Sequence, residues 1–439
     1  MAIVENIWWV LVLIGIMIMI HELGHYWAAR FFDVRVEAFS FGFGPRLFGF
    51  RKGETDFRVS AILFGGYVKM AGEQPSDEAV SDPRSFLSKP RWQRLIIAFA
   101  GPFMNIVLAV AILTGLYMVK YPKMPDNGAA GVVGLVMPNS AAAKAGVREG
   151  DRVVGIDDKM NPTWEDIFLT EIANANRPMR VVLVRDGQTI ETNITPELDE
   201  RNGIGTAGWT EQAEIQIGGV EKGMDAERQG LRRGDILMTV NGQPIRSTYR
   251  LREIIKASQG KPVEVVYTRE GQQKSATVTP TWRELEGQKS WMIGVRLEPR
   301  VTYVPLPFGQ AFSESVRQNA KSAGLIYQFL HGIIQQRMSP KSLEGPIRIA
   351  QLSGDAAREG ASAFLGLMAM VSLNLAVFNL LPIPILDGGV ILMLLFEMLI
   401  RKDLSLQVKE AVMKFGFVFL MMVVVFVLYN DISKIILKG

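Results

Sequence analysis

Apolar residues in this chain gather into four long runs: Ile7 to Ala29, Leu95 to Val119, Ala363 to Ile400 and Phe415 to Leu437. A helix needs about 20 apolar residues to cross the hydrocarbon core of a bilayer, and each run meets that length. The pattern predicts a polytopic α-helical membrane protein with transmembrane segments at 7–29, 95–119, 363–400 and 415–437. The second run holds no charge, and the fourth ends in polar Asn430 and Asp431. The third is longer than one crossing requires and contains Pro382, Pro384, Gly388 and Gly389. It predicts a helix, a break and a second helix, because proline removes a helical hydrogen bond and clashes with the preceding turn. Irregular backbone at membrane depth persists only where protein or water covers it.

Residues 30–94 follow another pattern. Phe39 to Met70 is rich in Gly and Phe, and Asp56 to Ala61 alternates as a half-buried strand does. We read this region as membrane-associated β-hairpins whose edge can receive a further strand. Residues 301–362 read as amphipathic helices at the membrane surface. Phe312, Val316, Leu325, Phe329 and Ile333 recur there at helical spacing, His331 lies among them, and the turn Ser342 to Pro346 follows.

The segment between the second and third runs contains a repeat. Gly131 to Asp151 reads GVVGLVMPNSAAAKAGVREGD, and Ile215 to Asp235 reads IQIGGVEKGMDAERQGLRRGD. Gly134 matches Gly218, Ala142 matches Ala226, Gly146 matches Gly230 and Asp151 matches Asp235, all at an offset of 84. A strand, a turn, a helical stretch and a hairpin follow in each copy. Two tandem α/β domains are predicted, at 128–210 and 211–300.

A net charge of +4, dispersed along 439 residues, gives no argument for nucleic acid as a partner. Cysteine is absent, so a metal site must use His and carboxylate ligands. No basic residue precedes Arg30, so the first run does not read as a cleaved signal peptide. Arg30, Arg35, Lys89, Arg91 and Arg94 flank one short connection, and Arg401, Lys402, Lys409 and Lys414 occupy the other. Positive charge favours the cytoplasmic side, which places both termini and 120–362 on the opposite face.

Within the first run, His21-Glu22-Leu23-Gly24-His25 spells H-E-x-x-H. Positions i and i+4 share a helix face, so His21 and His25 can hold one zinc ion with Glu22 beside it as base. Ionisable groups at this depth are costly and mark function. A catalytic zinc takes three protein ligands and leaves one position open. The residues after His25 offer no third ligand, and Asp387 at the helix break is the best candidate. Glu397, near Arg401, reads as an interfacial charge. His331 reads as an interfacial histidine more readily than as a ligand. Asn374 and Asn379, upstream of the break, are candidates to bind substrate backbone or a developing oxyanion, with helix–helix contact as the alternative. A competing reading is a membrane-anchored scaffold whose metal is not catalytic. Glu22 argues against it, because a structural site needs no base.

The membrane H-E-x-x-H, the segment Asn379-Leu-Leu-Pro-Ile-Pro-Ile-Leu-Asp387-Gly-Gly, and the stretches Gly65 to Met70 and Ala100 to Asn105 resemble the site-2 family of intramembrane zinc metalloproteases. The repeated turns A-G-V-x-x-G-D and Q-G-L-x-x-G-D resemble those of circularly permuted PDZ domains. The site-2 resemblance implies one zinc per chain, a bacterial inner membrane, periplasmic PDZ-like domains, and an active site toward the cytoplasm; the chain is expected to be a monomer. It implies cleavage of single-span membrane proteins, such as an anti-sigma factor shortened beforehand, and of remnant signal peptides. The PDZ resemblance implies peptide-carboxylate loops near Gly203-Ile204-Gly205 and near Met292-Ile293-Gly294-Val295, with Ile293 and Gly294 the better match. Both domains acting only as size filters is the alternative.

Overall fold

The computed structural model describes residues 2–73, 82–123, 131–199, 204–285, 288–334 and 345–436. Of the predicted features, positions 128 and 437, Gly203, and Ser342 to Glu344 lie outside the described residues. The chain forms two compact units, Met1–Tyr121 with Pro305–Gln328 and Leu343–Gly439, and Pro122–Val304 with Phe329–Ser342.

In the first unit, α1 (Ala2–Phe31) carries Glu5 in its first turn and Arg30 in its last, matching the helix dipole. A hairpin follows, β1 (Val36–Lys52) and β2 (Thr55–Met70). The pairing register makes it a curled sheet. Residues 38–41 pair with 56–59 on one side and with 66–69 on the other, while 48–52 pair back onto 55–59. Gly66 to Met70 is thereby an edge. At the other end Leu47, Phe48 and Phe50 are exposed. The Asp56 to Ala61 strand is present within β2.

Helix α2 (Arg91–Lys120) crosses α1 closely. A Cβ on Gly24 would overlap the Ala100 carbonyl and lie 2.8 Å from Met104 Cγ, so only glycine lets the backbones approach this far. Phe308 begins α7 (Phe308–Ile334), numbered after the helices of the repeat below. Ala311, Ser315 and Asn319 are buried on it, and Ser315 Oγ donates to the Val110 carbonyl at 2.8 Å. Phe308, Phe312 and Val316 are exposed. Small and polar residues face the protein and aromatics face outward, the inverse of a water-soluble helix.

The third apolar run is a helix, a break and a helix: α9 (Ala361–Asn379) and α10 (Asp387–Ile400), preceded by α8 (Pro346–Glu359). Ile385 in the break has φ +83°, rare for a β-branched residue. The break folds tightly over the start of α10. A Cβ on Gly388 would overlap the Leu380 and Leu381 carbonyls, and one on Gly389 would lie 2.7 Å from Pro384 Cα. Gly416 on α11 (Leu406–Ile436) gives Pro384 the same room. Among the described residues four helices are long and apolar enough to cross a membrane: Val4–Phe31, Arg91–Lys120, Ala361–Asn379 and Gln407–Ser433. The last carries Phe415, Met422 and Val425 exposed, a surface that suits lipid rather than water. Asp431, expected as a polar span end, is buried and accepts the N–H of Gly345 at 2.9 Å and of Ile347 at 3.2 Å, capping α8.

Glu397 corrects the interfacial reading. It is fully buried, accepts from Lys409 Nζ at 2.6 Å and from the Leu404 N–H at 2.9 Å, and lies 4.0 Å from Arg94 Nη2. A buried carboxylate pays several kcal/mol of desolvation, so it needs these partners rather than solvent or Arg401.

The second unit holds the repeat. The first copy contains β3 (Val133–Val136), α3 (Ala141–Lys144), β4 (Arg152–Ile156), β5 (Lys159–Met160), α4 (Trp164–Ala173), β6 (Met179–Arg185), β7 (Gln188–Ile194), β8 (Glu197–Asp199), β9 (Ile204–Thr206) and β10 (Trp209–Glu211). Its main sheet runs β5-β4-β6-β7, and β10 pairs with β3. The second contains β11 (Ile215–Val220), α5 (Asp225–Arg228), β12 (Ile236–Val240), β13 (Gln243–Pro244), α6 (Thr248–Ser258), β14 (Val263–Arg269), β15 (Gln272–Val278), β16 (Thr281–Leu285), β17 (Gln288–Met292) and β18 (Val295–Pro299). Its sheet runs β15-β14-β12-β11-β18, leaving β18 at the edge.

The copies share buried chemistry at the offset of 84. Arg185 clamps Asp151 through Nε and Nη2, each at 2.7 Å, and donates to the Gly146 carbonyl. Arg269 does the same to Asp235 and Gly230, each at 2.7 Å. The offset changes later. Ala142 N–H donates to Ala207 and Ala226 N–H to Ile293; Met137 N–H donates to Gly208 and Glu221 N–H to Gly294. Gly208 and Gly294 both have positive φ and pack on Ser140 and Met224. The counterpart of Ile293-Gly294 is therefore Ala207-Gly208. The expected position near Gly203-Ile204-Gly205 is corrected: Ile204 and Gly205 lie in the ribbon strand β9, just before the loop.

Candidate metal centre

Helix periodicity stacks His21 and His25 one turn apart on α1, and burial removes both rings from solvent. Their Nε2 atoms lie 3.2 Å apart. Asp387 enters at the first turn of α10, with Oδ2 3.2 Å from His21 Nε2 and Oδ1 3.5 Å from His25 Nε2. Among the described residues these three form the group able to hold a metal ion. Zinc at its usual bond lengths to nitrogen and oxygen has tetrahedral edges of about 3.3 Å, so the donor spacing fits zinc with the fourth position left for a reactant.

The Ile97 carbonyl sets the tautomer of His25, which the sequence did not reveal. His25 Nδ1 donates to the Ile97 carbonyl at 2.8 Å, which leaves Nε2 as the ligand atom. Asn105 is fully buried and places its amide nitrogen Nδ2 3.3 Å from His21 Nδ1. A ring that ligates through Nε2 carries its proton on Nδ1, and Asn105 Oδ1 is the acceptor that this proton needs once the amide turns toward it. Oδ1 has no other hydrogen-bond partner. Ser372 Oγ in turn donates to the Asn105 carbonyl at 2.9 Å, tying α9 to the same point. Gly101 completes the cradle. A Cβ there would overlap His25 Nε2 and lie 2.8 Å from His21 Nε2, so the space at the donor atoms exists only because residue 101 is glycine. The signal for Asn105 and Gly101 lay in the sequence as polar and small residues inside a charge-free apolar run.

Glu22 is held beside this group, its carboxylate accepting the Val68 N–H from the edge of β2. A cavity of about 950 Å³ is lined by His21, Glu22, His25, Asp387, the edge Gly66 to Met70, and Ile385. Asn374 and Asn379 lie on α9, half-buried, without side-chain hydrogen bonds among the described residues, and do not line this cavity. Ile293 and Gly294 belong to the second unit.

Replacing Asp387 with Ala should lower zinc affinity by more than about 100-fold, beyond the 10–100-fold typical of losing an outer-shell partner. Zinc content after equilibration with a metal buffer reads this directly. Full occupancy in the variant would remove Asp387 from the ligand set.

The comparisons with known proteins agree with this geometry. Residues 9–423 match Peptidase family M50. A zinc metalloprotease of Xylella fastidiosa is 31% identical over 454 residues, covering 97% of this chain and 98% of that protein. The regulator of sigma-E protease RseP of Salmonella typhimurium is 29% identical over 460 residues, covering 99% and 100%. A PDZ domain of an SdrC-like protein from Listeria monocytogenes matches 20% of this chain at 19% identity with a TM-score of 0.18, too slight to bear on the fold. With the H-E-x-x-H pair, its carboxylate partner and the base in one group, the chain belongs to peptidase family M50 and is a zinc metalloendopeptidase of the site-2 type.

Proposed function

We propose that this protein is an intramembrane endopeptidase that cuts the transmembrane segment of single-span membrane proteins after their periplasmic part has been trimmed. An anti-sigma factor and remnant signal peptides are the substrates in view. The observation that carries the reading is that His21, Glu22 and His25 lie on a helix long and apolar enough to cross a membrane, with Asp387 brought to the histidines from the first turn of α10.

His21, His25 and Asp387 would hold one zinc per chain, which would supply Lewis acidity toward the attacking water and the scissile carbonyl. Glu22 takes the proton from the attacking water and returns it to the leaving amine. The Val68 N–H keeps the carboxylate aimed into the cavity. A substrate helix must unwind to expose an amide, and its freed backbone groups need partners. The edge Gly66 to Met70 offers them by strand addition on the cavity side. Asn374 and Asn379 are proposed to bind substrate backbone as well, with approach along α9.

We place the chain as a monomer in a bacterial inner membrane, with both termini and the repeat periplasmic and the metal site toward the cytoplasm, as the basic connections favour. The two copies are proposed to be tandem permuted PDZ-like domains at 128–210 and 211–300, and Ile293-Gly294 to be a peptide-carboxylate loop. Exposed Leu47, Phe48 and Phe50 support membrane association of the β region.

The test is cleavage of a purified single-span segment in detergent. Cleavage inside the apolar stretch that stops on chelation and returns with zinc is expected. Zinc-loaded protein that cuts none of several truncated segments would leave the scaffold reading in its place.

A further inference from the structure

The equivalence of the two loops exposes a difference between the copies. In the first, Glu171 on α4 is buried, and its carboxylate accepts the Ala207 N–H and, at 3.0 Å, the Trp209 indole Nε1–H. The Thr206 hydroxyl contributes a third hydrogen bond. Burial nevertheless pushes the Glu171 carboxyl above its ordinary range. A carboxylate buried away from any cation is costly unless several donors converge on it, and this loop supplies them. The loop therefore binds a carboxylate already, and the chain itself provides it.

In the second copy each element of that arrangement is replaced. Helices α4 and α6 are aligned by their N-caps, Thr163 and Ser247, at the offset of 84. The position of Glu171 is then Ile255, which is buried and apolar. By the shifted offset, Thr206 becomes Met292 and Trp209 becomes Val295. The Ile293 N–H, counterpart of the Ala207 N–H, has no hydrogen-bond partner among the described residues. Beside it, β18 is an open sheet edge. A backbone N–H beside a free edge is the arrangement that captures the carboxyl end of an extended peptide.

We propose that Glu171 is a built-in ligand: its carboxylate fills the loop Thr206 to Trp209 as a peptide's carboxyl end would, so the first copy is closed to peptide ends and the second alone is open to them. The proposal deepens the peptide-loop reading of Ile293-Gly294 given above. The occupant of the second loop is a peptide with a free carboxylate and an apolar last residue, since Ile255, Met292 and Val295 stand where the first copy has Glu171, Thr206 and Trp209.

The test uses the full chain in detergent and counts bound peptide at equilibrium. The probe is a labelled six-residue peptide ending in Val with a free carboxylate, and its C-terminal amide is the control. Wild type should bind no more than one equivalent. Glu171→Ala, shown to unfold cooperatively, should bind one equivalent more than wild type, and the gain should weaken at least tenfold for the amide. A folded variant with no gain, or a gain indifferent to the carboxylate, would overturn the proposal. Wild type that binds none while Glu171→Ala gains one would overturn the opening of the second copy and leave the closure of the first by Glu171 standing. If the variant does not fold, hydrogen exchange on wild type decides. The Ala207 amide should be protected with or without peptide, and a peptide that alters Ala207 exchange would show that the loop is not filled by Glu171.

Discussion

Glu22→Gln should retain stoichiometric zinc and lose peptide hydrolysis by at least about 1,000-fold, within the range that a positioned acid–base group supplies. The two side chains have nearly the same volume, and the amide oxygen can still accept the Val68 N–H. The ligand atoms of His21, His25 and Asp387 are untouched, so their spacing of 3.2–3.5 Å persists. The variant loses only the capacity to take a proton from water and return it to the leaving amine. Metal content and single-turnover cleavage of the same single-span segment, measured on one preparation, separate binding from chemistry. Turnover within tenfold of wild type would assign the proton to another group and dissolve the role given to Glu22. Loss of zinc together with activity would mean that Glu22 supports the ligands rather than the reaction.

Gly101→Ala should abolish zinc binding and activity together, by more than about 100-fold in affinity. The added methyl carbon has no free position: it would overlap His25 Nε2 and sit 2.8 Å from His21 Nε2. Both rings are buried, and His25 is tied through Nδ1 to the Ile97 carbonyl on the same helix as residue 101, so neither swings aside cheaply. Alanine is the better helix former by about 1 kcal/mol, so α2 itself should not weaken. The expected signature is a folded, metal-free, inactive protein. Circular dichroism and zinc content report the two halves independently. A Gly101→Ala protein with full zinc and normal cleavage would show that the histidines do not meet at this point.

Much of the metal centre was legible in the chain, for identifiable reasons. His21 and His25 stand at i and i+4, so one helix suffices to align them, and their apolar setting makes a polar pair conspicuous. Asp387 stood out as a carboxylate at a proline- and glycine-marked break. The roles of the groups that finish the site were not legible, even where the residue stood out in its apolar run. Ile97 O, Asn105 and Gly101 reach α1 across a helix crossing from 72 or more positions away. Val68 arrives on a hairpin folded back on itself, whose register comes from irregular pairing rather than from alternation. Glu397 was misread for the same reason. Its sequence neighbour Arg401 suggested an interfacial charge, and its partner Lys409 comes from the next helix. The first peptide-loop position was misplaced because Gly203-Ile204-Gly205 offers a similar local pattern, and only the hydrogen bonds from Ala142 and Met137 to Ala207 and Gly208 reveal the equivalent loop.

Local period and composition therefore determined what one element can declare alone: four apolar helices, one of them broken, a twice-used α/β unit, and a histidine pair with its adjacent base. Tertiary structure decided what depends on two backbones meeting. It set the approach of α1 and α2 that requires Gly24 and Gly101, the tautomer of His25, the partners of Glu397, and the filling of one loop by Glu171 while its twin stays open. Helical and strand periods are short-range and survive in one dimension. A hydrogen bond between distant residues depends on packing distances that no local pattern records.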